Sequence, residues 1–158
     1  MVCIDAIIFV GKQNIPWKDV EVYLKQYIGH RIIVKEYKDE IIIPGGFPNE
    51  YSSSEYSKKL KGGLAKTKAN AAQVVEELIL NATNRRYVEN KEYKHNKDAS
   101  QGWYRYDVFF QMKVQGDNEN EPRWNNYQGT LVVRINENGL FAHDIINIKK
   151  EARTPLGS

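Results

Sequence analysis

Two long segments with alternating apolar and polar residues constrain the fold of this chain more than any other feature. In residues 103–114 every second position is aromatic or aliphatic, and residues 127–135 repeat this pattern with Gly129 at one of the inward positions. A period of two predicts strands with one buried face. The outward positions include Arg105, Gln128, Thr130 and Arg134. A tight turn at residues 136–139 and an apolar run to residue 148 predict a third strand, so this half reads as an antiparallel meander.

The first third of the chain predicts a β-α-β-β lead. Its expected elements are a strand over 3–10, a helix from Pro16 to Ile28, hairpin strands over 31–37 and 40–44, and a loop over 45–57. Residues 64–82 are rich in Ala and carry an apolar stripe at helical spacing, which predicts one long helix.

These elements indicate an α+β fold. We expect a long central helix packed on a curved antiparallel sheet of three to five strands, which leaves the other face of the sheet open to a ligand. The whole chain, 1–158, is expected to form one domain. It comprises an N-terminal subregion, 1–56, and a helix-plus-meander subregion, 57–158.

The composition limits the cellular compartments in which we expect this protein. Apolar residues make up 41% of the 158 residues, and ten Tyr, five Phe and three Trp can supply a core. The single cysteine, Cys3, allows neither an intrachain disulfide nor a thiolate zinc cluster. The apolar run 7–10 is too short to span a bilayer and lacks the features of a signal peptide. We therefore expect a cytoplasmic protein without membrane contact.

Positive charge is concentrated in the middle of the chain. Residues 57–113 hold twelve Lys and Arg against six Asp and Glu, although the net charge of the whole chain is only +3. Such a segment suits a polyanionic partner, but a solvated, lysine-rich helix face gives the same pattern. Aromatic residues interleave with the cations, as nucleic-acid contact requires. The candidate nucleic-acid-binding residues are Arg85, Arg86, Lys91, Lys94, Lys97, Trp103 and Tyr104.

Candidate catalytic residues fit RNA cleavage without a metal. His95 could act as general acid or base, Arg105 and Arg134 could stabilise a pentacoordinate phosphorane, and Thr130 could donate a hydrogen bond. His143 is a further candidate, although the sequence does not settle on which face of the third strand this residue lies. An Arg or Thr on an exposed sheet face is more often a structural cross-strand partner, and the alternative for His143 is a hydrogen-bonded core residue. Zinc-binding spacings and a glycine-rich phosphate loop do not occur, so we expect neither a metal nor a small-molecule cofactor.

Four segments of the chain resemble a known family. Residues 82–87, 94–99, 102–107 and 144–151 are similar to domains found in phages and integrative elements of Firmicutes. Those domains are related to the barnase, EndoU, colicin and RelE-like nucleases and to large polyvalent protein-associated domains. The resemblance covers about residues 58–156, and stretches near Trp17 and at residues 47–51 extend it. It implies a helix followed by a curved antiparallel sheet, with metal-independent RNase activity at His95, Lys97, Arg105, Thr130 and Arg134.

Two functions remain open on this basis. The first is a mobile-element-encoded, metal-independent endoribonuclease that cleaves RNA by general acid/base transesterification, of the toxin type. The second is a small, non-catalytic phage or mobile-element protein that binds a host nucleic-acid enzyme or defence complex, or its RNA, as anti-CRISPR proteins do. The expected partner is thus either RNA or a host nucleic-acid-processing protein.

Overall fold

A seven-stranded mixed sheet organises the computed structural model, which describes residues 1–11, 14–90, 99–114 and 122–152. The strands are β1 (Val2–Ile4), β2 (Arg31–Ile33), β3 (Glu40–Ile42), β4 (Thr83–Val88), β5 (Trp103–Lys113), β6 (Trp124–Asn136) and β7 (Gly139–Lys150). Their order is β1-β5-β6-β7-β3-β2, and β4 pairs with β5 beside β1. The long strands β5, β6 and β7 form the predicted antiparallel meander.

The α+β class is confirmed, but the prediction of an antiparallel sheet of three to five strands was wrong. Strand β1 runs parallel to β5, and β3 runs parallel to β7, so the sheet is mixed and larger than expected. Both added strands are only three residues long. Their pairing depends on contacts with strands far along the chain, which local sequence patterns do not report.

The long central helix was also predicted incorrectly. The segment forms α4 (Gly62–Ala71), a 3₁₀ turn (Ala72–Val74) and α5 (Val75–Leu80). Val74 has φ −121° and ψ 19°, outside the α region, and this residue ends the turn. Buried side chains occur at almost every position from Ala69 to Val75. Packing on several sides thus determines the local backbone here and overrides helical propensity.

Helices occupy much of the N-terminal part of the chain. α1 (Trp17–Leu24) is shorter than the predicted helix, because a 3₁₀ turn (Lys25–Tyr27) follows it, and β2 and β3 form the predicted hairpin over fewer residues. The strand predicted over 3–10 is limited to β1. The segment 45–57, predicted as a loop, instead contains α2 (Phe47–Ser53), and α3 (Glu55–Lys59) follows it. Ser54 separates the two helices and caps α3, because its side chain accepts a hydrogen bond from the Ser57 backbone N–H. The serine run that suggested a loop therefore marks a boundary between two helices.

The two faces of the meander differ as the alternation predicted. One face packs into the core with α4 and α5 and carries Tyr106, Val108 and Phe110 of β5 opposite Leu131 and Val133 of β6. The opposite face presents Trp103, Arg105, Asp107, Thr130, Val132 and Arg134. In the described ranges no helix combines the length and the apolar character needed to span a membrane.

Candidate functional site

A groove of about 590 Å³ lies on the polar face of the meander. β5, β6 and β7 line one part of it, α2 and α3 line another, and the end of β4 closes it. Its lining residues include Glu50, Glu55, Tyr56, Glu89, Asn90, Trp103, Arg105, Val132, His143 and Asp144. A concave site with several convergent polar groups is the usual setting for binding or catalysis.

His143 and Glu50 form a polar pair in this groove. The Nε2 atom of His143 lies 3.2 Å from Oε1 of Glu50. The hydrogen bond from His143 holds the pKa of Glu50 below its ordinary value, against the effect of burial. The imidazole also meets the Trp103 indole edge-on, with 4.9 Å between ring centroids. The histidine ring is therefore oriented from two sides, as an acid or base group requires.

Arg105 lies across from Val132 in the same groove and has no hydrogen-bond or ion-pair partner among the described residues. Its Nε atom is buried, and its guanidinium forms neither a hydrogen bond nor an ion pair in the described part of the chain. A guanidinium provides five N–H donors in a fork that matches carboxylate and phosphate oxygens. An arginine that faces a groove without a protein partner can bind an anionic ligand.

A buried ion pair lies directly behind the groove. The Nζ atom of Lys68, on α4, donates to Oδ1 of Asp144 at 2.7 Å and to Oγ of Ser57 at 2.6 Å. The same ammonium lies over the rings of Tyr51 and Tyr56. Burial lowers the pKa of Lys68 and raises the pKa of Asp144, so desolvation outweighs the mutual attraction in both groups. A buried pair of this kind adds little net stability, because the cost of removing both charges from water offsets their attraction.

Thr130 and Arg134 share the polar face with Arg105 but do not line the groove. Thr130 is buried opposite Asp107, and Arg134 is the cross-strand partner of Trp103. The guanidinium of Arg134 packs over the Phe141 ring at 5.0 Å from its centroid. The structure thus brings Arg105 and His143 into one site and leaves Thr130 and Arg134 beside it.

Arg85 and Tyr104 belong to a cluster of polar contacts between elements. Arg85 donates from one nitrogen to both carboxylate oxygens of Asp39, at 2.8 and 2.9 Å. Its guanidinium lies between the rings of Tyr37 and Tyr104, 4.6 Å from each centroid. This cluster ties β4 and β5 to the segment after β2, so Arg85 and Tyr104 have a structural role that their sequence pattern did not reveal.

Arg86 is likewise engaged, because it forms an ion pair with Asp107 at 3.1 Å. The remaining predicted residues, Lys91, Lys94, His95 and Lys97, lie outside the described residues. The chain leaves the described part at Asn90, on the groove, and returns at Ala99. The Asn90 side chain donates a hydrogen bond to the Ala99 carbonyl at 2.9 Å.

Glu50 is the residue of this site that sequence reasoning missed. It lies in α2, in a segment that was taken for a loop, although residues 47–51 were among the stretches of family resemblance. The described groove residues also include Glu55 and Glu89, so carboxylates outnumber cations in its lining. Comparisons with protein-family models, with curated proteins and with solved structures found no match.

Proposed function

We propose that the chain is a metal-independent RNase-like domain whose reaction takes place in the groove. The observation that carries this proposal is that Arg105, which has no partner among the described residues, lines the same groove as the Glu50–His143 pair. Phosphodiester cleavage without a metal needs a cation for the phosphate and a group that moves protons, and these residues supply both. The face of Trp103 offers a surface on which a base can stack.

The roles follow from the chemistry of transesterification. His143, oriented by Glu50, takes the proton of the 2′-hydroxyl as that oxygen forms a bond to phosphorus. Arg105 stabilises the extra negative charge of the phosphorane. The bond to the 5′ oxygen then breaks, and this oxygen must receive a proton. His95 is the acid that the family resemblance offers for this step. The products are a 2′,3′-cyclic phosphate and a free 5′-hydroxyl.

RNA cleavage in the presence of EDTA tests the proposal. We expect the wild type to cut RNA and His143→Ala to lose about 100-fold or more of that activity, the usual effect of removing an acid/base group. Arg105→Ala and His95→Ala should also lose activity. The matched controls are His30→Ala and Arg31→Ala, whose side chains pair with Glu76 and Glu40 away from the groove. Equal activity in His143→Ala and His30→Ala would refute the assignment.

A protein-binding function is favoured by one observation, the carboxylates Glu55 and Glu89 at the groove. They repel a long polyanion but attract the basic surface of a host nucleic-acid enzyme or defence complex. This candidate is a non-catalytic inhibitor in the manner of anti-CRISPR proteins. An oligo-arginine peptide serves as probe. Binding by an RNase-inactive wild type, lost in Glu55→Lys/Glu89→Lys, would support this candidate and exclude the first.

We also propose, from the resemblance and the single cysteine, that the protein acts in the cytoplasm and is encoded by a mobile element. A free RNase is toxic to the cell that makes it unless an inhibitor is present. Expression of the wild type and of His143→Ala in the same host therefore provides a second test. Toxicity that disappears with His143→Ala supports the RNase, and equal growth of both strains argues against it.

A further inference from the structure

Two consecutive residues of β7, His143 and Asp144, face the same groove. Ala142 pairs with Val133 and Asp144 pairs with Val132, so His143 is an extra residue in the ladder. Such a β-bulge bends the strand and changes the direction of its side chains. In a regular strand residue 144 would pair with Leu131, on the apolar face. The bulge turns Asp144 away from the apolar face, although the residue is still only 3% exposed.

The Asp144 carboxylate is bound by Lys68, by the Ser54 side chain and by the backbone of Ile145. Its Oδ1 atom accepts hydrogen bonds from Lys68 at 2.7 Å and from its neighbour Ile145 at 2.8 Å. Lys68 is fully buried and is held in turn by Ser57, whose hydroxyl donates to the Tyr51 carbonyl at 2.6 Å. The Tyr51 hydroxyl donates to the Lys68 carbonyl, which closes the network between α2 and α4. Glu50, the partner of His143, immediately precedes Tyr51.

We propose that the buried Lys68–Asp144 pair is a positioning device that holds the β7 bulge and thereby presents His143 to Glu50 and Trp103. This inference deepens the proposed function, because the pair matters for catalysis only if His143 acts in RNA cleavage. Lys68 and Asp144 are positioning residues, because they act through His143. The same network orders both members of the Glu50–His143 pair, one through α2 and the other through β7. Loss of the pair should therefore misplace His143 even where the chain still folds.

Replacing both charges tests the role of the pair. Lys68→Met/Asp144→Leu removes the ion pair without leaving an unpaired buried charge, so we expect it to fold. We expect the NMR cross-peaks between the Trp103 and His143 rings to disappear. If the chain cleaves RNA, kcat should fall by about 100-fold with little change in KM, the cost of a small misplacement. The control is Leu78→Ala, which makes a cavity in the core and should keep the ring contact.

A milder variant covers the case in which the double variant does not fold. Asp144→Asn keeps an acceptor oxygen for Ile145 but removes the charge that binds Lys68. Hydrogen exchange of the Ile145 amide should become about tenfold faster than in Leu78→Ala, once each rate is corrected for global stability. Retained ring contacts in a folded double variant, or an unchanged Ile145 exchange rate, would overturn the proposal. Neither readout needs a substrate, so an inactive protein would refute the RNase function and leave this inference standing.

Discussion

Removing only the lysine of the buried pair gives the largest stability change that we expect from one side chain. Asp144 is only 3% exposed, and Lys68→Met removes the cation that pairs with its carboxylate. Breaking a buried ion pair in this way costs about 3–5 kcal/mol. For a domain of this size that corresponds to a decrease in Tm of roughly 6–20 °C. Urea denaturation followed by circular dichroism measures the change, and a loss of less than about 1 kcal/mol would refute the reasoning.

The pH dependence of this variant checks the cause. Burial already raises the pKa of Asp144, and Lys68 is the main influence that opposes the rise. A carboxyl group whose pKa is higher in the folded chain favours folding when it is protonated, and that contribution is lost as the pH rises through the folded pKa. The destabilisation of Lys68→Met should therefore be larger at about pH 7.5 than at about pH 5. An equal loss at both values would show that packing, and not charge, explains it.

Three further predictions concern the backbone and Glu50. Gly102 has φ +98°, so Gly102→Ala should cost about 1–3 kcal/mol in urea denaturation. The added methyl would also meet the Tyr87 ring, but the backbone strain at positive φ does not depend on that ring, so a cost should persist in a Tyr87→Ala background. Asn147 has φ +53°, so Asn147→Gly should leave stability unchanged or slightly higher, whereas Asn147→Val should lower it by about 1–2 kcal/mol. The lowered pKa of Glu50 predicts that its stabilising contribution relative to Glu50→Gln is lost as the pH falls from 4.5 through the folded pKa, which thermal melts across that range can test.

The parts of the fold that could be predicted from sequence are those determined by local patterns. β5 and β6 were predictable because their alternation is long, and the hairpin β2–β3 because two β-branched runs flank Lys38, which has φ +63°. β1 and β3 were predicted as strands, but their parallel pairing with β5 and β7 was not predictable, because it depends on neighbours that lie far away in the chain. The same reason explains α2 and α3, whose serines suggest a loop until the cap at Ser54 is seen.

The candidate site was only partly predictable, for a related reason. Arg105 followed from the alternation of β5, since every outward position of a regular strand can be identified from sequence. Arg85 was predicted from the cations and aromatic residues that alternate in the basic segment. Its guanidinium is bound by Asp39, which lies far away in the chain. Composition identifies the residues that can bind phosphate, whereas long-range contacts determine which of those residues stay available. Glu50 lies outside the basic segment and could be placed only by the packing of α2 on β7.

The ambiguity at His143 and the existence of the groove have one physical origin. Alternation along β7 cannot be followed from Ala142 to Ile145, because both are buried on the core side although they are three positions apart. In a regular strand, residues three positions apart point to opposite faces. The extra residue of the bulge allows Ala142 and Ile145 to point to the same face. The cost is an interrupted ladder and a carboxylate that must be satisfied away from water, which Lys68 does. The gain is two adjacent polar side chains on one face, which strict alternation forbids. In this chain the break in the alternation of β7 falls on a histidine and an aspartate, and it coincides with the polar groove.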